Sequence, residues 1–169
     1  MGHARVLRFV PALLLAAACS GRAADFDVLG GASATAGLRS APAAFAQVAG
    51  TPPDDGNSHW RPAASVGWIG SRKVTGEDFD HDVFLAAAGA RYGRREGLFF
   101  SEQIAATSAR TDALSSRFEF VTSLGWQHGR FIAVLRHISN ANILGGGRNL
   151  GETMVLVGVR FGANDDGRG

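Results

Sequence analysis

Between Ala63 and Gly162 the chain runs as six segments of ten to twelve residues, each closed by turn-like sequence. They are Ala63–Arg72, Asp82–Gly93, Leu98–Ala109, Ser116–Gln127, Arg130–Ala141 and Gly151–Gly162. A membrane helix needs about 20 apolar residues, whereas a transmembrane strand needs only about 9–11 with one apolar face. Connections alternate between short ("RREG", "HG") and long ("KVTGEDFDHD", "NILGGGRN"), the habit of up-and-down membrane barrels. Side chains two apart on a strand share a face. In Ser116–Gln127 that rule puts Phe118, Phe120, Thr122, Leu124 and Trp126 together, opposite Arg117, Glu119, Val121, Ser123 and Gly125. In the last segment Val155, Val157, Val159 and Phe161 oppose Glu152, Met154, Gly158 and Arg160. The apolar faces suit lipid and the mixed faces suit a narrow, side-chain-filled interior.

The fold class expected is therefore all-β: a small antiparallel up-and-down transmembrane β-barrel, with eight strands. Asp25–Gly37 supplies a seventh strand, and the eighth is expected between Leu38 and Ala63, where Ser40–Trp60 alternates poorly and carries three of the five prolines. Trp60, Trp68 and Trp126 read as interfacial girdle anchors.

The amino terminus has basic residues, an apolar run from Phe9 to Cys19, then small residues, which is the order of a secretory signal. Cleavage is expected near Gly21-Arg22-Ala23. A rival reading makes Cys19 a lipidated terminus, since "AAAC" loosely resembles a lipoprotein box. The expected organisation is residues 1–23 as signal peptide, 24–162 as barrel domain and 163–169 as a polar tail. Arg5, Arg8 and Arg22, with no acid in that leader, turn a formal charge of +2 into −1 once removed. A nearly neutral mature protein gives no reason to expect nucleic acid as partner. Export without a mature cysteine fits the bacterial outer membrane or periplasm.

One strand carries chemistry. "RHISNAN" (Arg136–Asn142) places His137 and Ser139 on one face, continuing Phe131, Ala133 and Leu135 toward a membrane rim. A base beside a hydroxyl nucleophile is the spacing that serves ester hydrolysis, and a lipid-side location suits a lipid substrate. The plain alternative is a polar rim beside a loop that Asn140 and Asn142 close.

With the turn "RNLG" and the last strand "GVRF", this stretch resembles the outer-membrane lipid A 3-O-deacylases of the PagL type. The matching pattern is His137-Ile138-Ser139-Asn140 followed by Asn149-Leu150-Gly151, and the resemblance spans Phe131 to Phe161. It implies an eight-stranded barrel hydrolysing the 3-O-linked acyl ester of lipid A by a Ser-His-Glu triad, without metal or cofactor. Ser139 would be the nucleophile, His137 the base, Asn140 a support and Asn149 an oxyanion donor. The family's glutamate falls at Thr153 here, and Glu152 comes one position earlier. One residue changes the face of a strand, so Glu152 serves as the acid only if a β-bulge near Gly151 restores the register.

The partners implied are lipid A or lipopolysaccharide and the outer membrane, with a homodimer compatible. Arg72, Arg94, Arg95 and Arg148 would meet lipid phosphates if they fall on the outer rim. His59, His81 and His128 read as solvated loop histidines, and "EDFDHD" (Glu77–Asp82) lacks the ligand spacing of a known cation loop. Two rivals stand beside the hydrolase: a non-catalytic barrel with a structural or adhesion role, and a soluble lipid-binding barrel. Inward-pointing Phe118, Phe120, Val155, Val157 and Val159 would favour the last.

Overall fold

The computed structural model describes residues 24–35, 40–53, 55–140 and 148–162. Eight strands form one closed antiparallel barrel in chain order: β1 (Ala24–Ala34), β2 (Ser40–Gly50), β3 (His59–Ile69), β4 (Val83–Gly93), β5 (Gly97–Thr107), β6 (Phe118–His128), β7 (Phe131–Ser139) and β8 (Glu152–Phe161). β8 pairs with β1, from Phe26↔Phe161 to Ala34↔Thr153, so no edge is left open. The expected leader, Cys19 and the 163–169 tail lie outside the described residues.

The eighth strand is β2, inside the stretch where alternation failed. Its inward Ala41, Ala43 and Ala49 and its outward Pro42, Ala44 and Ala46 are all small, so the two faces barely differ in hydropathy. β3 starts at His59, four residues before the expected Ala63. Pro42 and Pro62 both point outward, near the ends of β2 and β3, where a missing N–H does least harm.

Facing follows the expected parity. Phe118 (59% exposed), Val155 (65%) and Val157 (61%) point outward, which excludes the soluble barrel with an apolar inside. This is a transmembrane β-barrel of the outer-membrane type. An aromatic girdle rings the end that carries the tight turns 94–96 and 129–130. Trp60 lies 5.1 Å from Tyr92, Phe26 lies 6.3 Å from Phe161, and Trp126 stacks on His128.

The interior is packed, as an eight-stranded barrel requires. Apolar side chains such as Leu29, Leu85, Val121, Ile138, Met154 and Leu156 alternate with buried polar groups. Asp27 accepts from Gln47 Nε2 (2.9 Å), Arg91 Nη2 (3.0 Å) and Arg160 Nε (2.8 Å). Arg136 donates to Ser123 Oγ (3.0 Å) and Gln47 Oε1 (2.7 Å).

At the opposite end the loops 70–82 and 108–117 fold over the lumen with the residues before β8. Asp112 N donates to Asp78 O (3.1 Å), Asp78 N donates back to Asp112 Oδ2 (3.1 Å), and Leu150 N donates to Asp112 O (3.1 Å). Phe79, Ala113 and Leu114 are buried beneath. This end is a knitted cap rather than a set of separate loops.

Candidate functional site

His137 and Ser139 lie on the outer wall of β7 near the capped end, His137 exposed and Ser139 half-buried. Barrel register gives His137 two neighbours, Thr122 on β6 and Thr153 on β8. Thr122 is in turn opposite Glu102 on β5. The result is one polar row, Glu102–Thr122–His137–Thr153, crossing four strands of an otherwise apolar wall. Thr122 Oγ1 donates to Glu102 Oε2 (2.8 Å), and His137 Nδ1 is hydrogen-bonded to Thr153 Oγ1 (3.0 Å). Because strand register is oblique to the barrel axis, the row runs from the middle of β5 to the rim at β8. Glu102 and Thr122 were missed in the sequence. Their parity marks them as outward, but only the pairing of β5, β6 and β7 shows that they join His137.

Gly151 sits at the start of β8 with φ +69°, and a Cβ there would lie 2.7 Å from His137 Cε1. The glycine supplies a left-handed backbone and leaves room for the ring to lie against it. The residue fits that turn and carries no sign of a bulge: His137 opposes Thr153 and Ile138 opposes Glu152 in regular register. Glu152 therefore points into the lumen, where it is 3% exposed. Ser33 Oγ donates to it at 2.5 Å, and Arg72 forms a close ion pair with it.

Asn140 is fully buried and donates from Nδ2 to Ser115 Oγ (2.9 Å), tying β7 to the cap. The Asn149 Oδ1 atom is buried with no partner among the described residues. Asn142 lies outside the described residues. Of the arginines, Arg72 turns inward onto Glu152 and over the Phe79 ring (4.3 Å). Arg148 faces Glu77 (3.3 Å) and Asp112 (3.9 Å) in the cap. Arg94 and Arg95 are in the β4–β5 turn, at the end away from His137.

The loop histidines each face a carboxylate: His59 with Asp55 (3.0 Å), His81 with Asp80, and His128 with Glu96 (3.4 Å). Asp78, Asp80 and His81 bring ligand-type atoms within 4.8 Å of one another. All three are exposed, and acidic loops gather in this way without holding an ion.

No protein-family model matches the chain, and no curated protein matches it. Among solved structures it is similar to Ail, the attachment invasion locus protein of Yersinia pestis, with TM-score 0.44 and 11% identity over 82% of this chain and 97% of that one. It is also similar to Ail in complex with the heparin analogue sucrose octasulfate, with TM-score 0.42 and 13% identity over the same shares.

The expectation of a PagL-type lipid A deacylase is corrected by this geometry. A Ser-His-Glu triad needs a carboxylate on the imidazole to stabilise the imidazolium. Here that carboxylate, Glu152, is on the other side of the wall, and Thr153 holds Nδ1 in its place. Glu102, the nearest acid of the outer row, is two strands away, roughly 9–10 Å at ordinary strand spacing. Among the described residues no hydrogen bond joins His137 to Ser139. The serine-esterase activity and the hydrolase class fall with the triad. Lipid A and lipopolysaccharide fall with them as the implied partners, because they rested on that resemblance alone.

Proposed function

We propose that the chain serves as a non-catalytic outer-membrane barrel that presents a folded surface, in an adhesion or structural role. The observation that supports this reading is the cap, in which Asp112 N donates to Asp78 O, Leu150 N to Asp112 O and Gly151 N to Ala113 O over buried Phe79 and Leu114. A surface ordered in advance loses little conformational entropy on contact, so contact with another surface is favoured. Both signs of charge are displayed there, from Lys73, Arg110 and Arg117 to Asp80 and Asp82, all exposed.

Residues 1–23 act in this reading as an export signal removed before insertion, with 24–162 as the barrel domain and 163–169 as a polar tail. Support comes from the apolar run and small residues that stop just ahead of Ala24, where β1 begins. Amino-terminal sequencing of the membrane-inserted protein tests the cleavage.

The function itself is tested on bacterial cells displaying the chain at matched levels. A second strain displays a variant with loops 70–82 and 108–117 replaced by short Gly-Ser turns. Retention on protein-coated and cell-covered surfaces should rise with the intact chain and fall back with the variant. Equal retention would exclude adhesion and leave the structural role, read as resistance of the cells to detergent. Lipid A mass spectra from cells carrying the chain and its Ser139→Ala variant should be identical. Loss of an acyl group that depends on Ser139 would overturn the non-catalytic reading.

A further inference from the structure

One carboxylate of the outer wall lacks a charged counterpart in its own barrel. Glu102 is the sixth of the eleven residues of β5, half-buried and outward, so it lies near the middle of the bilayer. Apolar rows frame it on both sides, Ile104 and Phe120 toward the cap, Phe100, Leu124 and Leu135 toward the tight turns. The hydrocarbon core offers no water, and an ionisable group at that depth calls for a partner.

The polar row supplies only part of one. Glu102 Oε2 accepts from Thr122 Oγ1 (2.8 Å), and among the described residues no hydrogen bond reaches Oε1. At the other end Thr153 engages His137 Nδ1 (3.0 Å), and among the same residues none reaches Nε2. With the Thr153 hydroxyl donating to Nδ1, Nε2 carries the hydrogen and can donate to a carboxylate. The unused acceptor and the unused donor match, yet they stand on β5 and β7, too far apart to meet within one barrel.

Symmetry brings them together. Two barrels inserted in the same direction are related by a two-fold axis along the membrane normal. An axis passing over Thr122 exchanges the ends of the row, so each Glu102 lies on the side of the partner's His137. Because the row is oblique, the two groups differ in depth by roughly 6 Å at a strand tilt of about 40°. A glutamate and a histidine reaching toward each other span that difference. The flanking apolar side chains do not by themselves favour a dimer, since lipid tails are as apolar as they are. Polar complementarity distinguishes a protein neighbour from lipid, and this row is complementary to itself.

We infer that the outer wall of β5–β7 is a docking surface for a second copy of this chain, closed by reciprocal Glu102–His137 pairs on either side of Thr122.

The exported chain, made with Cys19→Ser so that added cysteines are its only ones, is reconstituted in phospholipid vesicles. With a dye on Thr75→Cys in the exposed β3–β4 loop, single-molecule photobleaching counts copies as the protein-to-lipid ratio falls. Dimers should persist on dilution beyond chance co-occupancy. Glu102→Leu should raise the dimer dissociation constant about tenfold or more, the loss of a charge-assisted hydrogen bond. The same variant should resist urea no less than the parent, because leucine suits lipid. The exchanged pair, Glu102→His with His137→Glu, should dimerise again, since two-fold symmetry still sets each acid beside a base. Oxidation should cross-link Thr122→Cys, and not Ala46→Cys on β2 across the barrel. Monomers at every ratio, unchanged dimerisation in Glu102→Leu, or no recovery in the exchanged pair would each overturn the interface. So would equal cross-linking at positions 46 and 122, or a loss of urea resistance in Glu102→Leu, which would mark Glu102 as part of the barrel's own stability.

Discussion

Two inward phenylalanines show how single residues build the lumen. Phe45 lies over Gly67 and under the Arg136 guanidinium (4.4 Å), while Phe99 lies over Gly125 and under that of Arg91 (4.3 Å). In each stack the glycine leaves a seat for the ring, and the ring carries a cation that water would otherwise solvate. A Cβ on Gly125 would come 2.1 Å from Phe99 Cζ, and one on Gly158 would come 1.9 Å from the Val28 carbonyl oxygen. A ring can tilt at some expense in the stack, but a strand carbonyl cannot retreat without breaking the β1–β8 seam. Gly125→Ala should therefore destabilise the barrel by about 1–3 kcal/mol, the ordinary range for overpacking. Gly158→Ala should destabilise it more. Urea unfolding in lipid vesicles checks the order, and equal losses would mean that the seam is softer than its geometry implies.

Among the elements, the loop joining β3 to β4 shows what shapes the cap. The Ser71 backbone N–H donates to Asp82 Oδ1 (2.8 Å), and with the Trp68 side chain it holds this carboxyl below the usual carboxylate range. A carboxyl lowered on folding favours the folded loop above its unfolded pKa, and that contribution fades as the pH falls through the lowered value. The Ser71 amide resonance should thus follow the Asp82 titration, with a midpoint below that of an unpaired aspartate. A midpoint at or above the ordinary range would show that the bond does not persist in solution. Near neutral pH, where this carboxyl is fully ionised, the loop's shape should not change with pH.

At the level of the whole molecule, the closed wall and filled interior oppose conduction. Ile132, Val134, Met154 and Leu156 occupy the lumen together with the arginine network, and Phe79 and Leu114 close it at the cap. Planar bilayers containing the reconstituted barrel should show no single-channel steps of porin size. Large, regular steps would mean that the cap and the arginine layer open together.

Much of this was legible before any coordinates. A period of two assigns faces locally, which is why Phe118, Val155 and His137 fall on the outer wall as their parity requires. Where alanine recurs on both faces, as in β2, the signal weakens and the strand is found because its neighbours need a partner. The identity of those partners is a different matter. Ser33 meets Glu152 across 119 positions of sequence and Asp27 meets Arg160 across 133, because register between distant strands follows from how the whole sheet closes. The register of β8 against β7 likewise put Thr153 on the histidine. No pattern inside one strand carries that information: alternation says which way a side chain points, and the seam of the barrel says what it meets there.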